Sequence, residues 1–574
     1  MKNFSLASIV RGDKRIFWRL SKISLERGMT TECKTMVDKN IKKTVARKPF
    51  QLVYSSLRKG NSLSERDIEL IRNSGHTLPQ FASLGVQLAL KKRNNLEEDV
   101  IKEILSISSE LSEFLTPLVE SKVYRSGSDK VSILTKLNKK VELSDLEMEK
   151  LFNQYDEGEI SDSYMAIWLM IVCHRGLSER NVMKLTDLMK NSGKTFDYRN
   201  SPELGFRKIV RRYPTGALSE KTALIMPSLI ASLSDKYPIA SNFLVAKSLS
   251  YTGGTWDKLN SLPNFYFPQQ GEETIEMMKR FPHVSMSVTR EDFNPLDRKL
   301  YQLRSVTGTV ESIPLIVSSI ASKQLAMPAD FLLMDVRYGK GAFLKSKNDA
   351  IEMSSLLMKI LNCYINSDYV LINSMQPTGA SVGNELEIVE AIKVMRDRNN
   401  EFNDVWDKRV LSEQKALVAN MLAEIFYRVF PCRSLDYYKK DINCAFSEGR
   451  VLDSFKDLLR SHKVESIFVD KLVENPELLI SKYSSFDVLS RKEGEIVSIN
   501  QESLGMFVNF ELQTGLNDYI SPKKNGGGVI LRKRIGDSVK VGEPLCVLLA
   551  HSDYVEENKN FLENYLIEVF NFKI

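Results

Sequence analysis

Two runs constrain the fold most: "DFLLMDV" at 330–336 and "DYVLIN" at 368–373. Neither alternates apolar with polar residues, so each reads as a strand buried on both faces. That is the mark of a parallel sheet covered by helices. From about Phe206 to Val394, short apolar strands of this kind alternate with helical patterns. The loops that follow the two runs, "RYGKGAF" and "SMQPTGASVGN", are glycine-rich. Loops at the carboxyl ends of such strands are the usual ligand sites.

The flanks read differently. Between Ser62 and Ser121 apolar residues recur at three and four, as in packed helices, and Ser62 to Glu65 matches a capping box. Three more helices follow between Lys136 and Gly193, with Ser161 and Ser178 as start signals. The middle one, "YMAIWLMIVCHRG", is apolar almost all round and is expected in a core or a subunit interface. From Tyr483 to His551 the text is expected to be all-β, through "GEIVSI", "MFVNFEL" and "GVILRKRIGDSVKVGEPLCVLLAH". The last hairpin is similar to a small barrel-sandwich module of the lipoyl type, without an attachment site.

A chain of 574 residues is too long for one core. The expected division is 1–60, a basic extension; 61–131, an added helical region; 132–200, a helical domain; 201–480, an α/β domain; and 481–574, a C-terminal α/β domain. Residues 1–60 hold fifteen Lys and Arg against four Asp and Glu, a local +11 in a chain whose net charge is +7. Arginines 11, 15, 19 and 27 lie among apolar residues, which reads as a mitochondrial targeting segment. The alternatives are a cytoplasmic protein with a solvated tail, or a basic arm for RNA or another polyanion. The six cysteines are scattered with no CxxC pair, and no His, Asp or Glu cluster has metal spacing. No metal, cofactor or membrane span is expected.

The order of five motifs is specific: "YTGGTWDKLNSLPNF", "DRKLYQLRSVTGTVESIPLIVSSIASKQLA", "DVRYGKGAFLK", "MQPTGASVGNELEIVEAI" and "IGDSVKVGEPLCVLLAH". With them, residues from about 132 to 551 resemble the thymidine and pyrimidine-nucleoside phosphorylases. The resemblance does not reach the first 125 residues. It implies an α/β fold with a small helical domain, a large mixed α/β domain with a parallel-rich sheet, and a C-terminal α/β barrel-sandwich piece. It also implies a dimer formed through the helical domain. The implied reaction is phosphorolysis of a pyrimidine nucleoside.

The resemblance places base contacts on Tyr301, Arg304, Ser319 and Lys323, all of which keep the family residue type. The phosphate loop falls on "RRYPTGALSEKTA" and departs from the pattern. Arg212 stands for a lysine, and Tyr213 for a histidine implied to donate a proton. A phenol is a poor shuttle at neutral pH. Pro214, Ala223 and Val245 replace three phosphate hydroxyls, and Ala217 and Ser219 replace glycines that permit positive φ. Arg212, Thr215, Lys221 and Thr255 remain as the degraded anion set.

This asymmetry gives the main expectation: an inactive or impaired relative acting as a structural or regulatory subunit, which keeps a pyrimidine pocket. It would work as a homodimer or within a larger assembly. One alternative is an active pentosyltransferase with an altered anion site. The other is a nucleoside-binding sensor.

Overall fold

The computed structural model describes residues 57, 61–73, 76–91, 94–119, 129–247, 251–280, 282–396, 406–513 and 526–573. The expected targeting or polyanion segment lies outside the described residues. The chain divides into two compact units. One contains the described residues up to Thr195 together with Asp292–Ala326. The other contains Phe196–Glu291 and Met327 onward.

Among its described residues the first unit has helices and no strand. Its helices run Glu65–Asn73, Leu78–Ala89, Asn95–Ile107, Ser109–Val119, Asp129–Asn138, Asp145–Asp156, Asp162–Arg175 and Glu179–Asn191, followed by Pro295–Thr307 and Ile313–Ala326. Serine hydroxyls start several of them. Ser161 Oγ accepts from Tyr164 N and Ser178 Oγ from Asn181 N, as read from the sequence. The capping box near the front sits two residues later than expected. Ser64 and Asp67 exchange the two bonds, while Leu63 N donates to Glu97 Oε1 at 2.9 Å.

The apolar helix Asp162–Arg175 buries every residue from Ser163 to Val172. The helix Leu78–Ala89 packs against it and buries Phe81 through Leu88. Gly85 allows the close approach of the helix Ser109–Val119, since a Cβ there would lie 2.6 Å from Leu115 Cδ1. The segment 61–119 therefore shares one core with the helices after 129, through Leu84, Ile104, Leu115 and Trp168. Asp292–Ala326, expected inside the α/β span 201–480, also joins this core through Leu296, Leu300, Leu303 and Leu315.

The second unit holds strands β1 (Lys208–Pro214), β2 (Ile239–Leu244), β3 (Val284–Ser287), β4 (Phe331–Tyr338) and β5 (Ser367–Asn373). All pair in parallel, in the order β3-β2-β1-β4-β5. "DFLLMDV" and "DYVLIN" are β4 and β5, neighbours in register from Leu332–Ser367 to Tyr338–Asn373. The helix Thr222–Ala231 is buried at all ten positions, and Asn384–Arg396 is buried from Glu385 to Met395. Both pack in one core with Val210, Ile239 and Leu333 of the sheet.

The remaining strands are β6 (Ser381–Val382), β7 (Ser484–Leu489), β8 (Gly494–Ile499), β9 (Gly528–Leu531), β10 (Ser538–Val539), β11 (Pro544–Ala550) and β12 (Phe570–Lys573). They form two antiparallel sheets, β6-β9-β11-β7 and β10-β8-β12. The expectation of a strand at "MFVNFEL" is wrong. Gln501–Met506 is α-helical and Phe507–Gln513 is a π-helical turn. Leu504, Phe507, Val508 and Leu512 are buried together, and their spacing follows a helical period rather than alternation. No described helix is long and apolar enough to cross a membrane.

Candidate functional site

The base-side and anion-side residues fall in different units. In the helical unit, Ser319 and Lys323 lie one turn apart on Ile313–Ala326 and face the same side. Lys323 Nζ donates to Ser319 Oγ at 2.8 Å and to Ser319 O at 2.9 Å, and it pairs with Asp297. Asp297 is buried and orients the ammonium while balancing its charge. Tyr301 and Arg304 sit on Pro295–Thr307, with the guanidinium carbon 5.8 Å from the Tyr301 ring centre.

Arg304, expected as a base reader, has a structural role in the fold. It is buried and donates to three carbonyls, Thr309 at 3.3 Å, Val310 at 2.7 Å and Leu315 at 3.1 Å. It ties the turn after its helix to the start of the next. Burial lowers its pKa, with only Asp297, Cys173 and Tyr301 acting against that.

In the α/β unit, the anion-side residues begin at the carboxyl end of β1. Arg212 pairs across to Leu333, Tyr213 to Met334 and Pro214 to Asp335 of β4. The loop beyond is pinned by Thr215 N to Asp335 O at 2.9 Å, Arg337 N to Thr215 Oγ1 at 2.9 Å, and Leu218 N to Gly341 O at 3.0 Å. Ser219 takes φ 62, in the left-handed region where its side chain is strained by about 1–2 kcal/mol. Its single hydroxyl proton faces two carbonyls, Thr378 O at 3.0 Å and Ser381 O, and the bond it makes there offsets the strain.

Arg212 is fully buried. Its Nη2 lies 2.9 Å from Glu220 Oε1 and also contacts Asp335 and Thr222. Arg337 joins the same cluster. Its Nη2 is 2.9 Å from Asp335 Oδ2 and 3.3 Å from Glu220 Oε1, and its Nη1 donates to Thr378 Oγ1 at 2.8 Å. Two guanidinium groups thus face two carboxylates with no net charge. Burial would raise the Glu220 carboxyl, but Arg212, Arg337 and Lys258 hold it down at about 2. Burial opposes the charge on Arg212 as well, and Glu220 and Asp335 outweigh it and raise its pKa. Arg212 Nε and Nη1 are buried with no acceptor among the described residues.

Lys221 is placed unlike an anion ligand. Its Nζ is buried among oxygens, 2.6 Å from Thr378 O, 3.0 Å from Ser381 O and 3.3 Å from Glu390 Oε2. Such surroundings repel phosphate, so the structure removes Lys221 from the expected anion set. Thr255 opens the short helix Thr255–Leu259, and Tyr213 is half-buried at the end of β1. Glu220, Asp335, Arg337 and Asp297 were absent from the sequence-derived set. For Asp335 and Arg337 the signal was present in "DFLLMDVRY": an Asp and an Arg inside an apolar buried strand demand partners.

Two family models match the chain, both of a glycosyl transferase family: its helical bundle domain over residues 131–193 and its a/b domain over 226–429. The pyrimidine-nucleoside phosphorylase of Bacillus subtilis is 31% identical over 428 residues, 74% of this chain and 93% of that protein. That of Geobacillus stearothermophilus is 30% identical over 417 residues, 72% of this chain and 90% of that protein. Among solved structures, the anthranilate phosphoribosyltransferase of Thermus thermophilus aligns with 58% of this chain and 100% of its own. Its TM-score is 0.42 at 14% identity, too distant a likeness to carry weight. The chain belongs to the thymidine and pyrimidine-nucleoside phosphorylase-like family.

Proposed function

We propose that the chain is a pyrimidine-nucleoside pentosyltransferase that keeps activity through a rebuilt anion site. A phosphate oxygen would form the bond to the sugar C1′ as the glycosidic C–N bond breaks. The electron pair leaves with the base, which then takes a proton. The protein's task is positioning and charge stabilisation rather than covalent chemistry.

The observation that carries this reading is Arg212. Buried guanidinium nitrogens without acceptors are costly, and their natural complement is an anion. Arg212 engages Glu220 and Asp335 through Nη2 alone and leaves Nε and Nη1 for such a ligand. On the base side, Ser319 and Lys323 supply a hydroxyl and an ammonium suited to a pyrimidine carbonyl and to charge growing on the leaving base. The relatives named above support the same class, since this chain spans nine-tenths of their length.

A second reading, a nucleoside-binding or structural subunit without turnover, is favoured by a different observation. Glu220 and Asp335 already neutralise Arg212 and Arg337, and Pro214, Ala223 and Val245 offer no hydroxyl. Incubation with uridine or thymidine, with and without phosphate, decides between them. Phosphate-dependent release of free base supports the enzyme. Binding of nucleoside by calorimetry without base release supports the second reading.

A further inference from the structure

Lys221 stands where two loops and a helix converge. It precedes the helix Thr222–Ala231 and its side chain has no exposed surface. Its Nζ has five oxygen neighbours: the carbonyls of Thr378 (2.6 Å), Ser381 (3.0 Å) and Ser219 (3.3 Å), the Ser219 hydroxyl, and Glu390 Oε2 (3.3 Å). A lysine ammonium has only three N–H donors. Five acceptors around three donors describe the coordination shell of a spherical cation better than a set of directed hydrogen bonds.

The shell is built and held from behind. Glu390 accepts from Ala380 N at 2.9 Å and Ser381 N at 2.6 Å, which folds the 378–381 carbonyls onto Nζ. Trp406 Nε1 donates to Ser381 Oγ at 2.7 Å, and Gln414 also meets Glu390. Gly379 closes the shell in a left-handed conformation, φ +85. A Cβ there would lie 2.2 Å from Glu390 Oε1 and 2.8 Å from Lys221 Nζ. Carbonyl-rich shells of this kind replace the hydration of monovalent cations such as potassium.

We propose that the Lys221 ammonium is a tethered cation that fills a monovalent-cation site, and that this makes the fold independent of dissolved potassium. The ammonium carries the charge that an ion would otherwise bring. It bridges Ser219 of the anion loop to the 378–381 loop after β5. Deleting the side chain leaves an oxygen-lined, negatively biased hole that takes potassium, rubidium or ammonium ions and rejects lithium, which is too small to reach all the oxygens. The inference concerns stability and ion binding, so it stands or falls apart from the proposed turnover.

The test is thermal unfolding of the full chain in KCl, RbCl, NH4Cl and LiCl at fixed ionic strength. The wild-type midpoint is expected to be the same in all four salts. Lys221→Ala is expected to melt lower in LiCl and to regain most of the loss, saturably, in KCl, RbCl or NH4Cl. Lys221→Met, which fills the hole without charge, is expected to stay low in every salt. A wild-type midpoint that rises in potassium over lithium overturns the proposal. So does a Lys221→Ala chain with no preference among the salts. Should Lys221→Ala not fold, rubidium soaked into wild-type crystals decides: no anomalous peak among these oxygens supports the tethered cation, and a peak there overturns it.

Discussion

Arg212 Nη2 lies 2.9 Å from Glu220 Oε1, and both side chains are buried at the end of β1. This pair sets the character of the anion side. Burying two charges is offset only when each is met closely, and here Asp335 and Arg337 complete the set. The guanidinium is fixed in place before any ligand arrives, with part of its donor capacity unused.

Removing that cation leaves Glu220 and Asp335 underneutralised in the interior. Arg212→Met is expected to destabilise the protein by about 3–5 kcal/mol, the usual cost of breaking a buried pair from one side. Arg212→Lys retains a charge but loses the planar donors. It is expected to fold and to lose about 10²-fold or more in kcat/KM for phosphorolysis. Chemical denaturation and steady-state kinetics check the two effects separately.

Ser319→Ala removes a hydroxyl while Lys323 keeps Asp297. One hydrogen bond of about 1 kcal/mol is at stake, so stability should move by less than that. A base contact at Ser319 predicts a drop of roughly tenfold in kcat/KM, because about 1.4 kcal/mol is a factor of ten. Equal kinetics for variant and wild type would remove Ser319 from the site.

The segment 61–119 is expected to be integral to the helical unit. Leu84 is fully buried beside the helix Asp162–Arg175. Leu84→Ala is expected to cost about 2–5 kcal/mol, the range for deep cavities. A change under about 0.5 kcal/mol in urea unfolding, the size of an ordinary surface substitution, would mean that this segment does not share the core.

His462 makes one contribution to the pH dependence, beside His76 and His283, whose pKa values burial also lowers. It is buried against Phe265, with ring centres 4.5 Å apart. Its Nδ1 contacts Tyr266 O at 2.7 Å and its Nε2 accepts from Met286 N at 3.3 Å. Both nitrogens suit the neutral ring, and burial lowers the pKa from 6.5 to about 4. The unfolded chain protonates near 6.5 while the folded one resists, so stability falls as pH drops from about 6.5 to 4 and levels off below. The loss is on the order of 3 kcal/mol. Unfolding of wild type and His462→Gln across this range should show the slope shrinking in the variant.

"FLLMDV" was legible because it is apolar on both faces, and β4 is buried at every position from Phe331 to Arg337. "YVLIN" was legible as a strand but not in its burial: β5 is the edge of the sheet and is half-buried from Ser367 to Ile372 rather than covered on both faces. The caps at Ser161 and Ser178 were legible because they are local chemistry. "MFVNFEL" was misread because its aromatic and β-branched content suggests a strand, and tertiary burial selected a helical turn instead. The site was legible by residue type and not by role. Lys221 and Arg304 are cations in the expected places, yet their charges face carbonyls of their own unit. Which oxygen a lysine meets depends on long-range packing, and no local pattern encodes it. Asp297, 26 positions before Lys323, is a partner of the same kind.

The most direct measurement of the proposed chemistry is chromatographic detection of free uracil or thymine after incubation of the full chain with uridine or thymidine. The expected result is base release that requires phosphate, saturates with it, and falls about 10²-fold in Arg212→Lys. Bound nucleoside with no base released at any phosphate concentration would contradict it.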